Sequence, residues 1–66
     1  MSTVENMILV DPSESGTRVF HNCHHDGLLV SSILLRMFPA RDLSKAWAYA
    51  ETMAARHGYE LDQETP

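Results

Sequence analysis

The sequence predicts an α+β fold, a three-stranded antiparallel sheet followed by one C-terminal helix in the order βββα. Three observations predict it. Two β-prone runs flank an Asp26-Gly27 pair, the dipeptide favoured where both central residues of a tight hairpin turn need positive φ. A shorter apolar run, Asn6 to Val10, precedes them and ends in the turn-forming cluster Asp11-Pro12-Ser13-Glu14-Ser15-Gly16. From Asp42 to His57 apolar residues recur with the helical period and no break.

Taken in order, Asn6 to Val10 reads as the first strand and the cluster from Asp11 to Gly16 as a loop. Thr17 to His24, with Val19 and Phe20 set among polar neighbours, reads as a second strand pairing back on the first. Leu28 to Phe38 then forms a third strand, apolar on both faces and ended by Pro39. Val30, Ile33, Leu34, Met37 and Phe38 also fit helical spacing, with Asp26 as cap, so ββαα stands as the alternative order.

The C-terminal helix carries an apolar stripe of Leu43, Ala46, Trp47, Ala50, Met53, Ala54 and His57. Asp42 or Ser44 is placed to cap its first N–H groups. Arg56, His57 and Gly58 supply a cationic last turn and a C′ glycine, after which Tyr59 and Leu61 are expected to fold back over the helix end. One helix covers one face of a three-stranded sheet, so the βββα order leaves apolar surface on the other face, a feature that often marks a partner site.

At 66 residues the chain is expected to be a single domain with an ordered core over about 5–61 and an acidic tail at 62–66. An apolar fraction of 44% argues against intrinsic disorder. No run approaches the roughly 18 apolar residues of a membrane span, and the N-terminus lacks the basic and apolar regions of a signal peptide. The single cysteine, Cys23, has no internal disulfide partner, which suits a reducing compartment, and the expected location is the cytoplasm. A formal charge of −4 repels phosphate backbones, so neither direct nucleic-acid binding nor a membrane role is expected.

Chemistry-bearing residues concentrate in His21-Asn-Cys23-His24-His25-Asp26. On a strand His21, Cys23 and His25 share a face, and these three are the candidate metal ligands, with His57 or Asp26 as a fourth. The spacing matches no established zinc motif, and half-exposed strand histidines around a small buried cysteine are the expectation, with no metal and no cofactor. A Cys–His nucleophile is disfavoured because so small a sheet-plus-helix offers little volume for a substrate pocket. No phosphate loop, Gly-x-Ser-x-Gly elbow or HExxH sequence occurs, and the protein is expected not to be an enzyme.

The carboxylates form a second pattern. Asp11 and Glu14 lie around the first loop and Glu51 on the helix, while Glu60, Asp62 and Glu64 alternate in the tail. Extended, the last three sit about 6–7 Å apart, close to the phosphate spacing of one nucleic-acid strand. Tyr49, off the apolar stripe, is the candidate exposed aromatic contact, whereas Trp47 lies on the stripe and belongs to the core. Asp11, Glu14, Tyr49, Glu51, Glu60, Asp62 and Glu64 are therefore the expected partner-binding set.

In overall character, a small acidic single domain without a catalytic motif, the chain resembles phage-encoded type I anti-CRISPR proteins. The resemblance implies a non-enzymatic inhibitor that binds a type I CRISPR surveillance complex, its carboxylates occupying the basic channel meant for target DNA. Arg41 to Gly58, an alanine-rich helix ending in His-Gly after three strands, is also similar to small βββα bacterial domains. That second likeness is one of fold alone, and the alternative function is a bacterial interaction or antitoxin-like module, monomeric or homodimeric through its sheet edge or exposed sheet face.

Overall fold

The computed structural model describes residues 3–62. Strands β1 (Val4–Ser13), β2 (Gly16–His25) and β3 (Leu28–Phe38) form an antiparallel meander, followed by a 3-10 turn at Ala40–Asp42, helix α1 (Leu43–His57) and a short strand β4 (Glu60–Asp62). The sheet order is β3-β2-β1-β4, and β4 lies parallel to β1. The architecture is thus α+β, with a mixed four-stranded sheet in place of the expected three antiparallel strands. The ββαα alternative is not adopted.

The Asp26-Gly27 turn decides the identity of β3. Asp26 has φ 52° and Gly27 φ 84°, the two positive values a tight hairpin reversal requires. Asp26 is also pinned by the residue before β1: its N–H donates to the Thr3 carbonyl at 2.8 Å, and its Oδ1 accepts from the Thr3 N–H at 2.7 Å. With the chain reversed there, the outer edge of β2 offers a full ladder to Leu28–Phe38, which outweighs the helical spacing of the same residues.

The first hairpin is tighter than the turn-forming residues suggest. The predicted loop of Asp11 to Gly16 shrinks to Glu14 and Ser15, because β1 continues through Pro12, which pairs with Thr17. Proline is tolerated at this point because β4 pairs only with Met7–Leu9, so β1 has an open edge at Pro12 and the missing N–H breaks no ladder bond. Ser13 Oγ donates to the Gly16 carbonyl at 2.7 Å and closes the turn.

Helix α1 lies over β1 and β2 and buries three alanines, Ala46, Ala50 and Ala54, against Ile8, Val10 and Val19. Small side chains four residues apart let the helix backbone come close to the sheet, so a thin core closes without large residues at its centre. Trp47 and Met53 pack against this core, half-buried, while Leu43, at the start of the stripe, stays 39% exposed. Asp42 occupies the N-cap position without a side-chain cap bond, and its Oδ1 lies 4.0 Å from Lys45 Nζ.

The C-terminal end follows the sequence closely. Gly58 takes the left-handed conformation, φ 71°, and the Tyr59 N–H donates to the Ala54 carbonyl at 2.9 Å, the long bond of a Schellman motif. That bond turns Tyr59 back over the helix end and starts β4. The expected acidic tail begins one residue too early: Asp62 belongs to the sheet, and Glu64 lies outside the described residues.

Candidate functional site

Register assigns every strand residue to one of two faces, since directly opposed residues in a ladder share a face. Val10 opposes Val19 and Ile8 opposes His21, so these belong to the face under α1. The opposite, open face carries Glu5, Met7, Leu9 and Asp11 from β1, and Arg18, Phe20, Asn22 and His24 from β2. From β3 it carries Leu29, Ser32, Leu34 and Met37, and from β4 Glu60 and Asp62.

No element covers this face among the described residues, and its composition changes from one side to the other. Toward β3 it is apolar, with Leu29, Leu34 and Met37 exposed beside the half-buried Phe20, Leu9 and Met7. Toward β4 it is acidic, because Glu60 and Asp62 stand opposite Met7 and Leu9, with Glu5 further along β1. Asn22 sits at its centre, 7% exposed, and its Oδ1 accepts from Ser32 Oγ at 2.6 Å. Beside it, Nδ1 of His24 is enclosed without a hydrogen-bond partner.

No family model, curated protein or solved structure matches this chain.

The expected partner-binding residues fall on three separate surfaces. Asp11, Glu60 and Asp62 lie on the open face, but Asp11 is engaged by Arg18, its Oδ2 3.0 Å from Nη2. Glu14 projects from the β1–β2 turn, and Glu51 lies exposed on α1. Tyr49 is not the free aromatic contact expected of it. It is half-buried against the core, its ring 5.6 Å from that of Phe38 at 57°, with the Arg36 guanidinium 5.6 Å from its centroid. The helix lies so close to the sheet that the flank of the stripe is drawn into contact as well.

His21, Cys23 and His25 do share a face, as their alternation requires, but they are not drawn into a metal site. Among the described residues no group of three or more His, Cys, Asp or Glu side chains is placed to hold a metal ion. His21 is turned to other partners: its Nε2 lies 3.0 Å from Asn6 Oδ1, and its ring stacks on Tyr59 at 4.7 Å and 15°. His25 Nε2 is 3.8 Å from Asp26 Oδ2 at the hairpin tip.

Tyr59 in turn stacks on His57 at 5.2 Å, which produces a His21–Tyr59–His57 column at the C-terminal end of α1. Two hollows border it. One, of about 390 Å³, is lined by Val4, Glu5, Asn6, His57, Gly58, Tyr59 and Glu60. The other, of about 120 Å³, lies between Ile8, His21, Leu35, Met53, His57 and Tyr59. The column was hidden in the sequence because its three rings come from β2, the last turn of α1 and the residue after Gly58. The return of Tyr59 was legible from the C′ glycine, but not the strand on which it would land.

Proposed function

We propose that this protein is a non-enzymatic protein-binding module that docks through the open face of its sheet. The observation that carries this reading is the graded composition of that face, apolar toward β3 and acidic toward β4. It fits a protein surface with an apolar strip beside basic side chains. Apolar contact would supply residence time, and the carboxylates Glu5, Glu60 and Asp62 would supply orientation and fast association.

In its narrowest form the partner is a type I CRISPR surveillance complex with a basic DNA channel, and binding there excludes target DNA. Glu60 and Asp62, two residues apart on one face of β4, support it. Glu14 and Glu51, on other surfaces, do not contribute, and Asp11 is paired with Arg18. Charge mimicry is therefore confined to the β4 flank.

The test is capture of purified type I surveillance complexes by the tagged protein at two salt concentrations, with target-DNA binding followed in parallel. The expected result is salt-sensitive capture, loss of DNA binding, and failure of both in Glu60→Lys/Asp62→Lys and in Leu34→Asp. Capture that survives both variants rules out the open face as the docking surface. Absence of capture transfers the reading to an interaction or antitoxin-like module, whose partner presents the same apolar and basic chemistry.

A further inference from the structure

Strand β3 is the outer strand of the sheet and, among the described residues, pairs only with β2. It is eleven residues long, and its free edge presents a row of unpaired N–H and C=O groups. Apart from two bulges, the devices that normally protect such an edge are missing from it. Leu28–Phe38 contains no proline and no lysine. Its one charged residue, Arg36, is drawn over the rings of Phe38 and Tyr49, at 4.9 and 5.6 Å, on the helix face.

The strand is also apolar and exposed on both faces. Leu28, Leu29, Val30, Ile33, Leu34 and Met37 are each 47–72% exposed. At roughly 100 Å² apiece they expose on the order of 600 Å² per copy over the two faces, of which edge pairing covers the part beside the seam, against about 800 Å² per partner in a standard interface and about 300–600 Å² for the largest patch of an ordinary monomer.

From these features we infer that β3 pairs antiparallel with β3 of a second copy of this chain, with Ile33 on the two-fold axis. The register follows from the pleat. An antiparallel pair related by a two-fold axis keeps each residue on its own face, so only residues of like facing can oppose one another. By their partners on β2, Leu28, Ser31, Ile33, Arg36 and Phe38 belong to the helix face, and Leu29, Ser32, Leu34 and Met37 to the open face.

Two register shifts, between Val19 and Phe20 and between Cys23 and His24, place Leu35 and Val30 as the extra residues of bulges on either side of Ile33. Centred on Ile33, seven of the eleven residues meet a residue of their own face, and only the bulge residues Val30 and Leu35 break the pattern, opposite Arg36 and Ser31. Leu28 meets Phe38 of the second copy, Leu29 meets Met37, Ser32 meets Leu34, and Ile33 meets Ile33, each pair on one face. Centring on Ser32 would keep only Leu28 against Arg36, Ser31 against Ile33 and Ser32 against itself in like facing, while every other open-face residue would meet a bulge residue or run past the strand.

The dimer joins two four-stranded sheets into one of eight strands with both helices on the same side. Ile33 and its symmetry mate then fill the trough between the helices, and the two open faces form one continuous surface. A second copy is the occupant because in this register all four open-face residues, and Leu28, Ile33 and Phe38 of the helix face, meet like-facing partners over the whole length of the strand.

Light scattering across a wide concentration range should give a mass of twice 7.4 kDa for the wild type. Ile33→Lys, which places two ammonium groups on the axis at a site open in the monomer, should give the single mass with unchanged circular dichroism. Under oxidation Cys23→Ser/Ile33→Cys should form a covalent dimer, since residues opposed across an antiparallel pair lie within disulfide reach. Cys23→Ser/Leu29→Cys should not, because the two positions would stand roughly 27 Å apart. A monomer at every concentration, a dimer that survives Ile33→Lys, or cross-linking at position 29 in place of 33 would each overturn the inference. Partner capture does not enter these measurements, so their outcome is independent of the open-face reading.

Discussion

The ring of Tyr59 lies on the ring of His21 at 4.7 Å, although the first leaves the last helix and the second belongs to the middle of β2. The contact ties three parts of the chain together. Gly58 turns the backbone, Tyr59 covers the end of the core, and β4 is thereby delivered to the open edge of β1.

Loss of that ring should therefore be felt beyond its own contacts. Tyr59→Ala is expected to lower unfolding stability by about 2–3 kcal/mol, as for a large aromatic removed from a partly buried site. Tyr59→Phe should be nearly neutral, because the stack uses the ring. In urea denaturation a cycle combining Tyr59→Ala with His21→Ala should report a coupling of about 0.5–1.5 kcal/mol. Strict additivity would show that the rings are merely adjacent.

The glycines should rank by space as well as by φ. A Cβ on Gly16 would stand 2.9 Å from the carbonyl oxygen of Phe38, a backbone atom held by the β2–β3 ladder, and the φ of 146° already disfavours a side chain. At Gly27 and Gly58 the added Cβ meets nothing within 4 Å, so only the positive φ opposes it. Gly16→Ala should cost at least about 2 kcal/mol, and Gly27→Ala and Gly58→Ala about 1 kcal/mol each. Melting temperatures of the three variants would reveal the order, and equal losses would remove the steric argument.

The alanine stripe sets the distance between helix and sheet. Ala50 is fully buried, so Ala50→Leu has to push α1 away from Ile8 and Val10 and should destabilise by about 1–3 kcal/mol. Glu51→Ala, one residue along and exposed, should change stability by less than about 0.5 kcal/mol. Denaturation midpoints of the pair would show whether the close approach is needed.

Local chemistry made much of this architecture readable. Asp26-Gly27 specified a reversal because few other pairs tolerate two positive φ values, and the bounds of β3, Leu28 to Phe38, follow from that turn and from Pro39. The helix from Leu43 to His57 and its glycine stop were likewise written in periodicity and capping. Pro12 misled, since its effect depends on whether the strand has a neighbour at that point. Glu60 to Asp62 read as the start of a polar tail because three residues carry no periodic signal of their own.

Sequence by itself determined the first two strands and one amphipathic helix, and narrowed Leu28 to Phe38 to a strand or a second helix, because each rests on interactions between residues close along the chain. Tertiary structure alone decided the fourth strand, the stacked rings of His21, Tyr59 and His57, the burial of Tyr49, and the division of the carboxylates among separate surfaces. These depend on which edge of β1 is left open and on how near α1 comes to the sheet. Both are set by packing between segments distant in the chain, where no local pattern carries the information.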